Sequence, residues 1–454
     1  MYNFKNKNIG IIGLGLTGIS AINFFRSNSK KIIAWDDTKE KRNNIILNEI
    51  EVLDLNLTKN LKQVELLFVS PGIKPNHKIL KLAKKYDINI IGDLDIFWQK
   101  ESKNNNKFIF ITGSNGKSTV TALIHHLLTS AKINSTVGGN IGVPVLNLKS
   151  GLKSNIFIIE ASSFQLNSIK NIKPNMSILT NISPDHIDWH GSYEDYISAK
   201  ENLFSKQDSN DIAIINIDSE DALKVCNRIK NRKVKPNIIQ ISLNKKLKNT
   251  IYFKEGKVFD NLDNRNVLIA DIKKLTFLIG QHNVENILLS IASVKHYGVT
   301  NKQIIKYLPS FKGLRHRLEL VYKDSKLKIV NDSKATNLVS CKVALNCFEN
   351  IIWIAGGIRK DDKFSYLKDN ISSIKAAYFI GESADEFISY FGDHFYCKNA
   401  KNIKNAVKYA INYSKNIREN STILFSPACA SYDQFLNYEE RGIYFSNEVN
   451  KYLN

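Results

Sequence analysis

The sequence is poor in cysteine and proline, and no apolar run is long enough to cross a membrane. Its five cysteines are odd in number, widely spaced and form no C-x-x-C pair, which argues against a disulfide framework and a zinc ribbon. With 8 prolines, 43% apolar and 24% charged residues, the composition is that of a folded protein. The opening residues place glycines where a signal peptide needs a continuous apolar run, so we expect a cytoplasmic protein without membrane insertion.

Acidic residues are outnumbered, 43 against 64 lysines and arginines, which gives a formal net charge of +21. Net charge bears on partners and solubility, not on fold. Lysine and asparagine recur almost everywhere, and no arginine-rich stripe is interleaved with aromatic residues. We therefore interpret the excess as biased composition and predict no nucleic-acid partner.

The chain of 454 residues is too long for one hydrophobic core and should form several domains. Two segments have the pattern of a strand, a glycine turn and a helix, namely IGIIGLGLTGISAINFF and FIFITGSNGKSTVTALIHHLL. A further series of buried strands follows Gly298. These patterns predict an α/β chain of three domains. We expect an N-terminal Rossmann-like domain (1–95), a central P-loop mononucleotide-binding α/β domain (96–298) and a C-terminal Rossmann-like domain (299–454).

A glycine loop that follows a predicted strand and precedes a predicted helix indicates a phosphate site. It consists of Gly113, Ser114, Asn115, Gly116, Lys117, Ser118 and Thr119. Lys117 would neutralise phosphate oxygens, and the Ser118 hydroxyl would ligate magnesium. The loop is two residues shorter between its glycines than G-x-x-x-x-G-K-S, which favours a class distinct from ordinary nucleotide kinases.

The first glycine turn, Gly13 to Gly18, reads G-x-G-x-x-G after a strand, and Asp36 and Asp37 end the next strand. Taken alone, this pattern predicts a dinucleotide site.

Two further positions point to a metal. Glu160 ends a strand that reads as fully buried, at the sheet edge where Ser118 is expected. His186 and His190 have the spacing of one helix face, but without H-E-x-x-H or a nearby cysteine the phosphate loop favours a hard ion over zinc. Lys200, by contrast, is in isolation one of many helical lysines.

The loop GSNGKST resembles that of the Mur ligases and their folylpolyglutamate synthetase relatives. The motifs GLGLTG, EASSFQL, SPDHIDWH, AKENLF, NDSKATN and SPACASYDQF are similar to those of the D-glutamate-adding branch of the Mur ligases, in the same order and over nearly the whole chain. The resemblance implies an ATP-dependent ligase that joins D-glutamate to UDP-N-acetylmuramoyl-L-alanine through an acyl phosphate, releasing ADP and phosphate, in peptidoglycan precursor synthesis. It implies that the three domains bind the UDP-sugar, ATP and the amino acid in that order, in a monomer with small-molecule substrates.

The resemblance also implies roles for individual residues. The catalytic residues would be Lys117, Glu160, His186, Lys200 and Lys334. Two Mg²⁺ ions would be held by Ser118, Glu160, His186 and a carbamylated Lys200, for which lysine needs a lowered pKa. Besides the loop, ATP would contact Asn283, Asn286, Arg317 and Asp332. The UDP-sugar would contact Leu16, Thr17, Asp36 or Asp37, Ser70, Gly72 and Asn140. D-Glutamate would contact Thr336, Lys360, Ser431 and Tyr438, and Tyr438 departs from the phenylalanine that is usual in the family.

Three alternatives stay open at this point. A folylpolyglutamate synthetase-like ligase shares the phosphate loop but not the GLGLTG domain. A nicotinamide-dependent oxidoreductase would use the first glycine turn and leave GSNGKST unexplained. A basic nucleic-acid-binding ATPase would need salt-sensitive DNA binding.

Overall fold

The computed structural model describes residues 4–45, 50–149, 151, 153–262, 266–272, 280–359, 363–417 and 419–453. Lys360 lies outside the described residues. The chain separates into two compact units, one of Met1–Lys273 with His282–Leu308 and one of Lys274–Gln281 with Pro309–Asn454. Two sheets belong to the first unit and one to the second.

In the described part of the chain, the first sheet is parallel, with the order β3-β2-β1-β4-β5. Its strands are β1 Asn8–Ile12, β2 Lys31–Trp35, β3 Ile50–Val52, β4 Leu66–Val69 and β5 Asn89–Ile91. Its helices are α1 Leu16–Arg26, α2 Lys39–Asn43, α3 Thr58–Leu61, α4 Lys78–Lys85 and α5 Asp93–Glu101. The strand order reverses at β1 and β4, the position at which doubly wound sheets bind ligands.

The turn after β1 depends on its glycines. Gly13 has a φ of 88°, in the left-handed region that favours glycine. A Cβ added to Gly18 would lie 1.9 Å from the Gly13 carbonyl oxygen, so only glycine lets the first turn of α1 pack on the preceding loop.

The second sheet, within the described residues, has the order β14-β13-β12-β11-β10-β9-β6-β8-β7. Its strands are β6 Lys107–Thr112, β7 Ser135–Gly139, β8 Ile156–Glu160, β9 Met176–Leu179, β10 Ile212–Asn216, β11 Asn237–Ser242, β12 Thr250–Lys254, β13 Lys257–Asn261 and β14 Val267–Asp271. Strands β12 to β14 form an antiparallel meander at one edge, and the other pairs are parallel.

Helices cover this sheet, whose central strands are buried on both faces and accordingly apolar. They are α6 Lys117–Ser130, α7 Ser163–Leu166, α8 Ile187–His190, α9 Tyr193–Glu201, α10 Glu220–Lys230, α11 Gln281–His296 and α12 Asn301–Tyr307, with 3₁₀ turns at Val145–Asn147, Asn202–Phe204 and Leu308–Ser310.

The third sheet, again within the described residues, has the order β15-β16-β20-β17-β18-β19, and its edge strand β15 is antiparallel. Its strands are β15 Glu319–Lys323, β16 Leu327–Asn331, β17 Ile351–Gly356, β18 Ile374–Ile380, β19 Tyr396–Lys401 and β20 Ser421–Phe425. Its helices are α13 Leu338–Leu345, α14 Ala384–Phe391, α15 Ile403–Ser414 and α16 Tyr438–Leu453, with a 3₁₀ segment at Phe364–Ser373.

These three sheets with flanking helices confirm the predicted α/β class. Among the described residues, no helix has both the length and the apolar character that spanning a bilayer requires.

We expect Gly18→Ala to lower the free energy of unfolding of the first unit by about 1–3 kcal/mol, because the added methyl group overpacks a backbone contact. Gly72→Ala is the matched control, since a Cβ there meets nothing within 4 Å. Urea unfolding followed by circular dichroism measures both variants. Equal midpoints for the two variants would contradict the packing role of Gly18.

Candidate active site

The phosphate loop lies between β6 and α6 and has no room for side chains at its two glycines. Gly113 has a φ of 146° and Gly116 a φ of 84°. A Cβ at Gly113 would lie 1.9 Å from Thr180 Oγ1, and one at Gly116 would lie 2.3 Å from Asn286 Oδ1. The residue after β9 and helix α11 therefore close on the loop. The loop amides lie at the start of α6, an arrangement that suits anions.

Neighbouring polar groups hold the loop in this shape. Ser114 Oγ donates to the Ser183 carbonyl at 3.0 Å and lies 2.7 Å from the Tyr196 hydroxyl. The Asn115 amide donates to Asn181 Oδ1 at 2.9 Å, and the Asn115 carbonyl accepts from Thr180 Oγ1 at 2.6 Å. The loop is therefore fixed by contacts with the segment that follows β9.

Two lysine side chains converge on the loop. Lys117 Nζ donates to the carbonyls of Gly113 and Ser114 at 2.9 and 3.0 Å. Lys200 Nζ donates to the same Gly113 carbonyl at 2.8 Å. Lys200 is 1% exposed, and burial, followed by the nearby charge of Lys117, holds the pKa of its amine well below the ordinary value. This environment favours the neutral amine, and the residues next to Lys200 in sequence carry no signal of it.

Glu160 ends β8 beside the loop, and its backbone is in register with Ile111 of β6. The side chain is 2% exposed. Its Oε1 accepts from Asn140 Nδ2 at 3.0 Å, while its buried Oε2 has no hydrogen-bond partner among the described residues. A buried carboxylate oxygen without a donor is costly, and a cation is one of the groups that satisfies it.

Ser118 and Thr119 are buried in the first turn of α6. In the part of the chain that the structure describes, no group of three or more histidine, cysteine, aspartate or glutamate side chains is arranged to hold a metal. A metal site here would therefore need ligands of other types, such as a hydroxyl.

His186 directly precedes α8, and its ring contacts that of Phe164. Its φ of 53° is left-handed, and its ring centroid lies 4.7 Å from that of Phe164. His190 instead is buried, with Nε2 2.9 Å from Ser163 Oγ. Burial, then the charges of Lys200 and His186, lower the pKa of His190. The two histidines, which the sequence allowed on one helix face, therefore lie in different environments.

A cleft of about 580 Å³ opens between the ends of the first two sheets. Every residue that the sequence predicted for the UDP-sugar lines it, namely Leu16, Thr17, Asp36, Asp37, Ser70, Gly72 and Asn140. Phe164 and Gln165, which the sequence did not single out, line it as well. Because Asn140 also donates to Glu160, the cleft reaches the carboxylate beside the phosphate loop.

The two aspartates of the cleft differ. Asp36 is 5% exposed and accepts from the amides of Leu14 and Thr38 at 2.7 and 2.9 Å. Burial acts to raise its pKa, but these amides outweigh burial and hold the pKa below its usual range. Asp37 is more exposed, and a hydrogen bond with His77 at 2.9 Å lowers its pKa. Asp36 therefore supports the turn, and Asp37 has the more accessible carboxylate.

Helix α11 supplies a buried polar group next to the phosphate loop. Asn286 Nδ2 donates to Asn283 Oδ1 at 3.1 Å, and both side chains are buried. Glu285 lies between them in sequence, and burial raises its pKa to about 7. Sequence reasoning missed Glu285, since a glutamate on a helix carries no signal of its own.

The second unit gathers several predicted residues at the ends of β16 and β20. Asp332 accepts from Ser426 Oγ and the Leu318 amide at 2.8 and 3.2 Å, and burial raises its pKa to about 7 against the opposing charge of Arg317. Lys334 Nζ donates to the Tyr438 hydroxyl at 3.0 Å and lies 4.8 Å from its ring centroid. The hydroxyl that distinguishes Tyr438 from phenylalanine thus has a defined contact.

A buried arginine joins the two loops that carry these residues. Arg441 is 1% exposed; it donates to Ser333 Oγ and O at 3.0 and 2.8 Å and to the Cys429 carbonyl at 3.0 Å. Ser431 is buried just after Cys429, and Thr336 is half-buried after Lys334. Sequence reasoning missed Arg441, because its burial becomes visible only once α16 packs on the sheet.

Comparison with known proteins places these features in a family. The model of the Mur ligase middle domain matches residues 111–294, and that of the MurD-like N-terminal domain of Mur ligases matches residues 7–92. A curated UDP-N-acetylmuramoylalanine–D-glutamate ligase from Caulobacter vibrioides (strain NA1000 / CB15N) is 35% identical over 98% of this chain and 96% of its own length. One from Rickettsia felis is 38% identical over 98% of this chain and 97% of its own length.

Solved structures agree on the fold. The UDP-N-acetylmuramate-alanine ligase MurC of Thermotoga maritima is 18% identical, with a TM-score of 0.59 over 99% of both chains. MurF of Acinetobacter baumannii is 15% identical, with a TM-score of 0.59 over 78% of this chain and 79% of its own. Together with the sequence matches over nearly the whole chain, this shows that the chain belongs to the Mur ligase family of ATP-dependent, amide-forming ligases.

Proposed function

We propose that this protein joins D-glutamate to UDP-N-acetylmuramoyl-L-alanine at the cost of ATP, as a monomer, in the cytoplasmic synthesis of peptidoglycan precursors. The observation that carries the proposal is the position of Asn140, which lines the cleft with the predicted UDP-sugar residues and donates to Glu160 beside the phosphate loop. A carboxylate delivered by a nucleotide-sugar in this cleft would reach the γ-phosphate of ATP in the loop. The names of the relatives supply the choice of substrate.

The same proposal assigns one main ligand to each domain. The first domain (1–95) would bind the UDP-sugar, the central domain (96–298) ATP and the C-terminal domain (299–454) D-glutamate. Asp37, whose carboxylate is the more exposed of the pair, would contact the UDP portion, while Asp36 holds the turn. Asn283 and Asn286 beside Gly116 would contact the adenine, and Arg317 and Asp332 the phosphates and ribose.

The reaction needs activation, because an amine and a carboxylate at neutral pH form a salt and not an amide. Transfer of the γ-phosphoryl group to the alanine carboxylate breaks its bond to the β-phosphate, releases ADP and gives an acyl phosphate. The D-glutamate amine then attacks the acyl carbon, phosphate leaves, and the amine loses its extra proton. Lys117 would bind the phosphate oxygens, which are stronger acceptors than the carbonyls of Gly113 and Ser114 that it contacts here.

Magnesium fits the residues around the loop. The unsatisfied Oε2 of Glu160 and the Ser118 hydroxyl are oxygen ligands of the kind that magnesium prefers. His186 lies in the segment between β9 and α8, whose residues Asn181 and Ser183 contact the loop. Two bound ions would neutralise the charge that develops on the transferred phosphoryl group. Lys200 would contribute to this set only as a carbamate, since its ammonium would repel a cation.

The environment of Lys200 supports the proposed carbamylation. A neutral amine adds carbon dioxide and releases one proton, which leaves a carbamate anion. Burial, followed by the nearby charge of Lys117, holds the pKa of Lys200 well below its ordinary value, which favours the neutral amine that carbamylation requires. Arginine has no such neutral form.

In the C-terminal domain, Lys334, Thr336, Ser431 and Tyr438 would orient D-glutamate, with Lys360 pairing to its side-chain carboxylate. Lys334 would act on the reacting groups, held in place by the Tyr438 hydroxyl.

The decisive assay for the proposed function follows phosphate release with ATP, magnesium and UDP-N-acetylmuramoyl-L-alanine, plus D- or L-glutamate. We expect release only with D-glutamate. Equal rates with both isomers, or transfer of L-glutamate to a folate, would refute the proposal.

A second prediction concerns Lys200. Lys200→Ala should lower kcat about a hundredfold or more, because it removes an electrostatic group from the transition state, and added short carboxylates should restore part of it. Lys206→Ala is the control, since Lys206 is exposed six residues away. Wild-type rates in Lys200→Ala would rule out the carbamate, and failure of rescue would argue against a carboxylate-like role.

A third prediction concerns Tyr438. Tyr438→Phe should raise the KM for D-glutamate about three- to thirtyfold, since Lys334 loses a hydrogen bond that fixes its ammonium, with the KM for ATP unchanged. Tyr432→Phe, at a tyrosine in the loop before α16 that is 73% exposed, should behave as wild type. Steady-state kinetics with each substrate varied in turn gives the comparison, and an unaltered KM for D-glutamate would contradict it.

A further inference from the structure

The segment that carries His186 is fastened to a loop of the first sheet. Trp189 Nε1 donates to the Gly72 carbonyl at 3.3 Å. Lys74 Nζ donates to the Asp188 carbonyl at 3.2 Å and lies 3.4 Å from its carboxylate. Because Gly72 lines the cleft, these contacts join the wall of the cleft to helix α8.

Trp189 also contacts an aromatic side chain, that of Phe164. The Phe164 ring lies between those of Trp189 and His186, with centroid distances of 4.5 and 4.7 Å. Phe164 also lines the cleft. The indole of Trp189 therefore contacts both walls of the cleft, one through its N–H group and one through its ring.

The backbone of His186 needs this support. Its left-handed φ of 53° is uncommon for a residue with a side chain and persists only where neighbouring contacts impose it. The amides of Trp189 and His190 donate to the His186 carbonyl at 3.1 and 3.2 Å. Any shift of Trp189 therefore reaches His186 through the backbone and through Phe164.

We propose that Trp189 is a positioning residue that holds the loop at Gly72 at a fixed distance from the His186 side chain. The nucleotide-sugar bound in the cleft would then lie at a fixed position relative to the metal-dependent chemistry at His186. The inference rests on the proposed function for the identity of the ligand. Trp189 need not touch the substrate, since its contacts are with Gly72 and Phe164.

The variant Trp189→Phe keeps an aromatic ring and removes the N–H donor. We expect it to weaken binding of UDP-N-acetylmuramoyl-L-alanine, measured by calorimetry without ATP or magnesium, by about three- to tenfold. The magnesium concentration for half-maximal turnover should rise by a similar factor, and the dissociation constant for ATP should stay unchanged. Trp98→Phe is the matched control, because Trp98 packs on Phe108 away from the cleft.

Unchanged substrate binding in folded Trp189→Phe overturns the inference, and so does a change in binding without a change in magnesium dependence. If Trp189→Phe does not fold, the pair at the same junction replaces it: Lys74→Asp should weaken binding, and adding Asp188→Lys should restore it, whereas no restoration counts against the inference. Failure of the wild-type protein to bind the nucleotide-sugar would instead refute the proposed function.

Discussion

The convergence of Lys117 and Lys200 on the carbonyl of Gly113 is the constraint on which the rest of the site depends. Two ammonium groups this close repel each other, and burial makes the repulsion harder to screen. The buried partner, Lys200, yields by giving up its proton more readily. The loop thus combines a lysine suited to bind phosphate with one that loses its proton more readily, and the difference comes from burial and from the nearby charge of Lys117.

The contact between Asn140 and Glu160 extends this arrangement to the cleft. It arises because β7 pairs with β8 and places Gly139 in register with Glu160. The next residue, Asn140, therefore lies within hydrogen-bond distance of the Glu160 carboxylate. The side-chain amide of Asn140 therefore lines the cleft and also holds one carboxylate oxygen of the buried Glu160. The other oxygen is left for a partner that the described residues do not provide.

Much of this could be read from the sequence, because the glycine turns and buried strands carry strong local signals. The α/β class followed from strand, turn and helix patterns, and the residues predicted for the nucleotide-sugar do share one cleft. Their individual roles were beyond the sequence. Asp36 and Asp37 follow the same strand and look equivalent in the sequence. In the structure, Asp36 is buried and accepts from the amides of Leu14 and Thr38, whereas Asp37 is exposed.

Other features depend on contacts between residues far apart in the chain, for which periodicity gives no signal. Arg441 is buried because a helix near the end of the chain packs on two distant loops. His190 is buried because Ser163 and Tyr196 enclose it, although its spacing from His186 suggested a shared face. Trp189 contacts Gly72 across more than a hundred residues.

The atoms that close on Gly113 and Gly116 belong to Thr180 and Asn286, so the phosphate loop is completed by residues made long after it. During synthesis on the ribosome, helix α11 emerges long after the loop, so Asn286 reaches Gly116 only late in synthesis. A chain truncated before that point would contain the whole G-x-x-G-K-S-T stretch and still lack a finished nucleotide site.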